Sequence, residues 1–188
     1  MQESFYYLSV LLAIVLGLAI TQVLLGLRGL ILTRAKVKLY FPTLIWAGLT
    51  LLIAIQAWWA DFSMRTEANW TFGPLLVIIL QAISVYMAAA LVLPDITGEA
   101  IIDLRDHYFA HKRWFFGALL ASLVCSVAKD LALHGHLPGR MNFAFHVFGG
   151  LMVTVAAITR REWFHKLLAP AFALVVLLYI SLLFARLR

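Results

Sequence analysis

A chain of 188 residues that is 64% hydrophobic and 13% charged departs from a soluble domain, where about 45–50% apolar and about 25% charged residues are usual. The composition excludes a water-soluble globule with a charged shell and points to an integral membrane protein. In that setting the net charge of +6 reads as a signal of topology and of attraction to lipid headgroups, not of nucleic-acid binding.

Crossing the hydrocarbon core takes about 20 apolar residues in a helix. The first such run is Phe5–Leu27. Met1-Gln2-Glu3 supplies no basic leader and no small-residue cleavage site follows, so this span is expected to be retained. Gln22 lies in its last turns, ahead of a connector carrying Arg28, Arg34, Lys36 and Lys38. The second run, Tyr40–Ala60, contains Gln56 and leads through Trp58 and Trp59 to Asp61; Arg65 and Glu67 follow in the loop. The third, Phe72–Leu93, holds Gln81 and Ser84 and is stopped by Pro94.

The third connector, Asp95–Arg113, has the pattern of a short amphipathic helix, with Glu99, Asp103, His107 and His111 at four-residue intervals and Ile101, Leu104 and Tyr108 on another side. His107 and His111 have a spacing that can chelate a metal. A membrane-surface helix explains the same facts: acidic residues lead, Lys112 and Arg113 close the segment as the helix dipole favours, and a four-residue period drifts about 40° per step, spreading the ligands.

The fourth run, Trp114–Leu133, places Ala118, Ser122 and Ser126 beside Gly117, Ala121 and Cys125, a small-residue surface that lets another helix approach closely. It is expected to be buried in the bundle or to meet a second copy or another membrane partner. Cys125 is the lone cysteine, which excludes an intramolecular disulfide. Lys129 and Asp130 end this run; adjacent residues point about 100° apart on a helix, so they do not simply pair with each other. Asp130 shares a face with His134, and His136 lies just beyond. The fifth run, Met141–Ile158, is preceded by Arg140 and carries His146; after Arg160, Arg161 and Lys166 the sixth, Leu167–Phe184, completes a bundle. The fold expected is therefore all-α, with six transmembrane helices in one domain and a short amphipathic helix between the third and fourth.

Ten of the fifteen Lys and Arg residues fall in the first, third and fifth connectors, which places these in the cytoplasm and both termini outside, with Arg186 and Arg188 pulling the other way. A bacterial inner membrane is the expected setting. Aromatic residues at the run ends, including Tyr40 with Phe41, Trp114 to Phe116, Trp163, Trp58 and Phe72, fit two interfacial belts. Arg34–Phe41 and His111–Phe116 both run from basic into aromatic residues, a faint echo of an inverted repeat that any cytoplasmic helix entry would also produce. The sequence has no phosphate-binding loop, dinucleotide turn, zinc-protease motif or nucleophile elbow.

Two groups of polar residues are candidate sites, because each bears a desolvation cost that a purely structural helix avoids. Lys129, Asp130, His134, His136 and His146, with Asp61 and Glu67 nearby, would form an outer pocket. Gln22, Gln56, Gln81, Ser84, Ser122 and Ser126 would line a staggered path, unless each merely bonds a neighbouring helix, which is the plainer reading. The pocket likewise has a plain alternative, with loop histidines in solvent and Lys129 snorkelling to the interface.

Three functions compete. A channel or transporter for an ion or small solute stands first, since most of the chain is bundle. A metal-assisted membrane enzyme would use His134, His136 and His146 as ligands of a divalent metal, with Asp130 as base or orienting group. A non-catalytic scaffold, lipid-binding subunit or sensor is the third. No cofactor is required by the sequence, membrane lipids are the expected surroundings, and matched facing histidines for a bound haem are lacking.

Overall fold

The computed structural model describes residues 2–66, 70–95 and 101–183. Glu67, Glu99, Arg186 and Arg188 lie outside this set. Six helices, α1 (Gln2–Leu32), α2 (Phe41–Asp61), α3 (Phe72–Val92), α4 (Leu104–His134), α5 (Arg140–Ile158) and α6 (Glu162–Leu183), are long and apolar enough to cross a membrane. The chain is an all-α multi-pass membrane protein.

Local chemistry sets the helix ends. Pro42 and Pro74 sit in the first turns of α2 and α3, where a missing N–H costs nothing, and α3 stops just before Pro94. The Asp103 carboxylate accepts from the backbone N–H groups of Arg105 (3.0 Å) and Asp106 (3.2 Å), an N-cap for α4. Gly135 closes α4 in the left-handed conformation at φ 71°, which a residue bearing a Cβ adopts only with strain.

The connectors α1–α2, α3–α4 and α5–α6 share one end of the bundle, which we call the basic end. There β1 (Val37–Lys38) and β2 (Ile102–Asp103) form a two-residue parallel pair in the register Val37 to Ile102 and Lys38 to Asp103. Lys38 reaches the Asp103 carboxylate at 3.7 Å, and the Thr43 hydroxyl meets the Leu104 carbonyl at 3.4 Å. Among the described residues of 95–113, which leave out 96–100, no separate amphipathic helix is present. Ile102 and Asp103 are extended and residues from Leu104 onward form the first turns of the continuous 31-residue α4. The physical reason is the Asp103 cap, which starts a helix that the following apolar sequence has no cause to end.

Helices α2, α3, α4, α5 and α6 pack side to side in a closed ring, and α1 lies outside it against α2 and α3. At Gly26 α1 comes so near α3's end that an added Cβ would stand 2.8 Å from the Leu93 Cδ1. Inside the ring, Trp46 is fully buried and its ring centroid lies 5.0 Å from Phe116, 5.0 Å from Phe172 and 5.5 Å from Phe115. These aromatics form a layer across the bundle. Phe115, Phe116 and Tyr40 are thus core residues and not members of an interfacial belt, whereas Trp114, Trp58, Phe72 and Trp163 are exposed on the lipid-facing surface as that role requires.

Candidate functional site

Between the aromatic layer and the end of the bundle away from the basic end, the ring encloses a cavity of about 340 Å³. Leu119 and Phe172 lie at its floor, and it reaches the surface beside the exposed His134. Along α4 these levels, fifteen residues apart, span about 22 Å. Among the described residues, none of α1 lines it.

Most of the residues expected in the outer pocket converge here. Lys129, Asp130, His134 and His146 all line the cavity. Lys129 Nζ donates to the Asp61 carboxylate at 3.0 Å, and only 11% and 13% of the two side chains are exposed, so this is a largely desolvated ion pair joining α4 to α2. His136 stands apart. It is exposed, its Nδ1 meets the Leu137 carbonyl at 3.0 Å, and its ring stacks on His134 at 5.5 Å.

A directed hydrogen-bond chain runs along one wall. The Tyr179 hydroxyl of α6 donates to Asn142 Oδ1 at 3.0 Å. His146 Nδ1 lies 2.9 Å from the Asn142 carbonyl, an acceptor only, so that nitrogen carries a proton and donates. In the neutral imidazole Nε2 is then the acceptor, and the Ser126 hydroxyl of α4 donates to it at 2.9 Å. Both ring nitrogens of His146 are therefore occupied, Nδ1 within α5 and Nε2 joining α5 to α4, while Tyr179 joins α6 to α5 through the Asn142 side chain. Asn142, which with Arg140 precedes His146 in the sequence, belongs to this wall, whereas nothing in the sequence points to Tyr179. The four-residue spacing of Asn142 and His146 was the only available signal.

The residues of the expected polar path separate into two sets. Gln56, Gln81, Ser122 and Ser126 line the same cavity as Asp130. Gln22 and Ser84 do not: the Gln22 amide reaches the Tyr86 hydroxyl at 3.4 Å, and the Ser84 hydroxyl donates to the carbonyl of Leu80 one turn earlier at 2.8 Å. Gln22 is on α1, outside the ring, which is why it cannot reach the lumen. The small-residue surface of α4 divides the same way, with Ser122 and Ser126 turned to the cavity and Gly117 and Ala121 exposed.

Among the described residues no three His, Cys, Asp or Glu side chains gather as metal ligands would. The weaker candidates, His107 and His111, are engaged elsewhere. His107 Nε2 faces the Leu91 carbonyl at 3.1 Å and His111 Nδ1 the His107 carbonyl at 3.0 Å, while the rings lie 4.5 Å apart.

Below the aromatic layer a second polar cluster closes the basic end. His165 Nε2 lies 2.9 Å from the Thr159 carbonyl and so donates, leaving Nδ1 to accept from the Tyr108 hydroxyl at 2.8 Å. Lys112 Nζ donates to the carbonyls of Ala156 (3.2 Å) and Ala157 (2.6 Å), which the last turn of α5 leaves without helical partners. Arg105 bonds Glu162 at 2.9 Å, and Lys166 reaches the same carboxylate at 2.8 Å. Apart from Lys166, which bonds Glu162 within α6, the polar groups of this cluster hold one connector or helix end to another. No family model matches the chain, and no curated protein or solved structure is significantly similar to it.

Proposed function

We propose that this protein is a carrier for a small solute, with the cavity inside the five-helix ring as its binding chamber. One observation carries the reading: the chamber contains polar groups that the fold does not use. Gln56 and Gln81 make no hydrogen bond among the described residues, yet both line the chamber, with Gln81 about 13 Å into α3. A polar side chain at that depth costs free energy unless something satisfies it. A chamber of this volume lies within the range of small-molecule sites.

The aromatic layer supports a carrier over an open channel, since the chamber ends at Phe172 and Leu119 instead of continuing to the basic end. A metal-assisted reaction is less well supported, because His146 has no ring nitrogen left for a ligand. The bias of Lys and Arg toward the basic end supports a cytoplasmic placement of that end, with the termini and the chamber mouth on the other side.

The test uses a Cys125→Ala background with Ser122→Cys as the single thiol, in vesicles of both orientations treated with a membrane-impermeant maleimide. A carrier predicts labelling from the mouth side and, as the chamber alternates, from the basic side. Labelling from the mouth side alone would replace the carrier with a ligand-binding sensor. Labelling from neither side would remove the chamber reading altogether.

A further inference from the structure

We infer that the chamber takes a small organic cation, an ammonium group carried on an apolar body, with Asp130 as its counter-charge. The inference rests on the chamber being a binding site, and it adds the chemical class of what enters.

Charge within the chamber decides the class. Lys129 is held by Asp61 at 3.0 Å, and at that distance the pair presents little net charge to a ligand. The His146 imidazole has both ring nitrogens engaged in hydrogen bonds and brings no negative charge to the chamber. Asp130 is different. Its carboxylate lines the chamber and, among the described residues, takes part in no hydrogen bond or ion pair. It lines the chamber together with His146 and Tyr179, whose rings meet at 5.8 Å.

The rest of the wall suits the same ligand. Phe145 packs edge-on to Tyr179 at 5.3 Å, and Phe172 closes the floor, so the chamber offers aromatic rings as well as the carboxylate. An ammonium ion gains from both a carboxylate and an aromatic face once water is excluded. Deeper in, Gln56 and Gln81 offer amide groups to a polar substituent at the other end of the molecule. An anion would find Lys129 already committed, and a metal ion would find one carboxylate where it needs several oxygen ligands.

The experiment measures binding to the full chain in detergent by the concentration dependence of its thermal stability. The probes are phenethylammonium, its neutral counterpart phenethyl alcohol, and hydrocinnamate, which have similar bodies and different charges. Phenethylammonium is expected to bind the native protein about tenfold to a hundredfold more tightly than the alcohol, the difference a charged hydrogen bond supplies. Asp130→Asn should erase that preference and Asp130→Glu restore part of it. If Asp130→Asn does not fold, the preference of the native protein among the three probes decides the matter. Equal binding of ammonium and alcohol would overturn the cation while leaving the chamber and the carrier standing. Tightest binding of hydrocinnamate would overturn it in favour of Lys129 as the recognising charge. Binding of none of the three would defeat this inference and count against a ligand chamber as well.

Discussion

Lys129 and Asp61 show how a single residue's cost depends on its partner. Each side chain is only about a tenth exposed, and the two are the described ion pair nearest the chamber. Taking either charge out of water costs several kcal/mol, which the mutual attraction returns only while both are present. Lys129→Met should therefore destabilise the protein by about 3–5 kcal/mol, because Asp61 is left buried and unpaired. Adding Asp61→Leu to Lys129→Met should recover most of that loss. Unfolding in detergent, followed for the single and double variants, checks this; a double variant no more stable than the single would show that the pair is not held by its charges. The sequence marked Lys129, Asp130 and His146 as expensive in a membrane, but not their partners. Asp61 is sixty-eight residues from Lys129 along the chain, and the Tyr108 to His165 bond spans fifty-seven. Pairings at such separations are set by how the helices pack, about which spacing within one helix is silent.

At the scale of elements, the first turn of α4 joins local and distant structure. Asp103 caps the helix through its carboxylate, pairs with Lys38, and belongs to the two-residue strand that clips the first connector to the third. Asp103→Ala should cost about 0.5–2 kcal/mol through the lost cap alone. The exposed ion pair to Lys38 adds little. Asp103→Asn keeps a cap acceptor and should retain most of the stability. Amide hydrogen exchange across residues 104–108 reads the effect locally; unchanged protection in Asp103→Ala would mean that packing, and not the cap, starts the helix. The six spans were legible because apolar length is a strong signal read one segment at a time. The extension of α4 down to Leu104 was not, since Leu104 and Tyr108 look like one side of a surface helix until a neighbouring helix buries them, as it does here. Nor does two-residue pairing between connectors leave any periodic trace. The chamber was half legible: polar residues within apolar runs are conspicuous, but whether Gln22 or Gln81 faces the lumen depends on α1 lying outside the ring.

For the whole molecule, the decisive feature is the separation of two polar regions by one aromatic layer. Above it the chamber ends at Leu119; below it Lys112 already bonds the end of α5, seven residues or about 10 Å away along α4. Trp46 is the centre of this layer, touching Phe115, Phe116 and Phe172 and closing the gap between α2, α4 and α6. Trp46→Ala should cost about 3–5 kcal/mol from lost burial and the void left behind. That void would lie directly between the chamber floor and the Tyr108 to His165 cluster. Water entering it would find polar groups on both sides, so the variant should turn a closed chamber into a continuous wet path. Proteoliposomes carrying Trp46→Ala are expected to leak small neutral solutes and ions in a shrinkage assay, while native protein and Trp46→Phe, which keeps an aromatic ring in place, stay tight. If the folded Trp46→Ala protein is as impermeable as the native one, the barrier lies elsewhere, in the polar cluster at the basic end. In that event alternation of the chamber would require those helix-end bonds to open, beginning with Lys112, whose release from Ala156 and Ala157 would free the end of α5 to move.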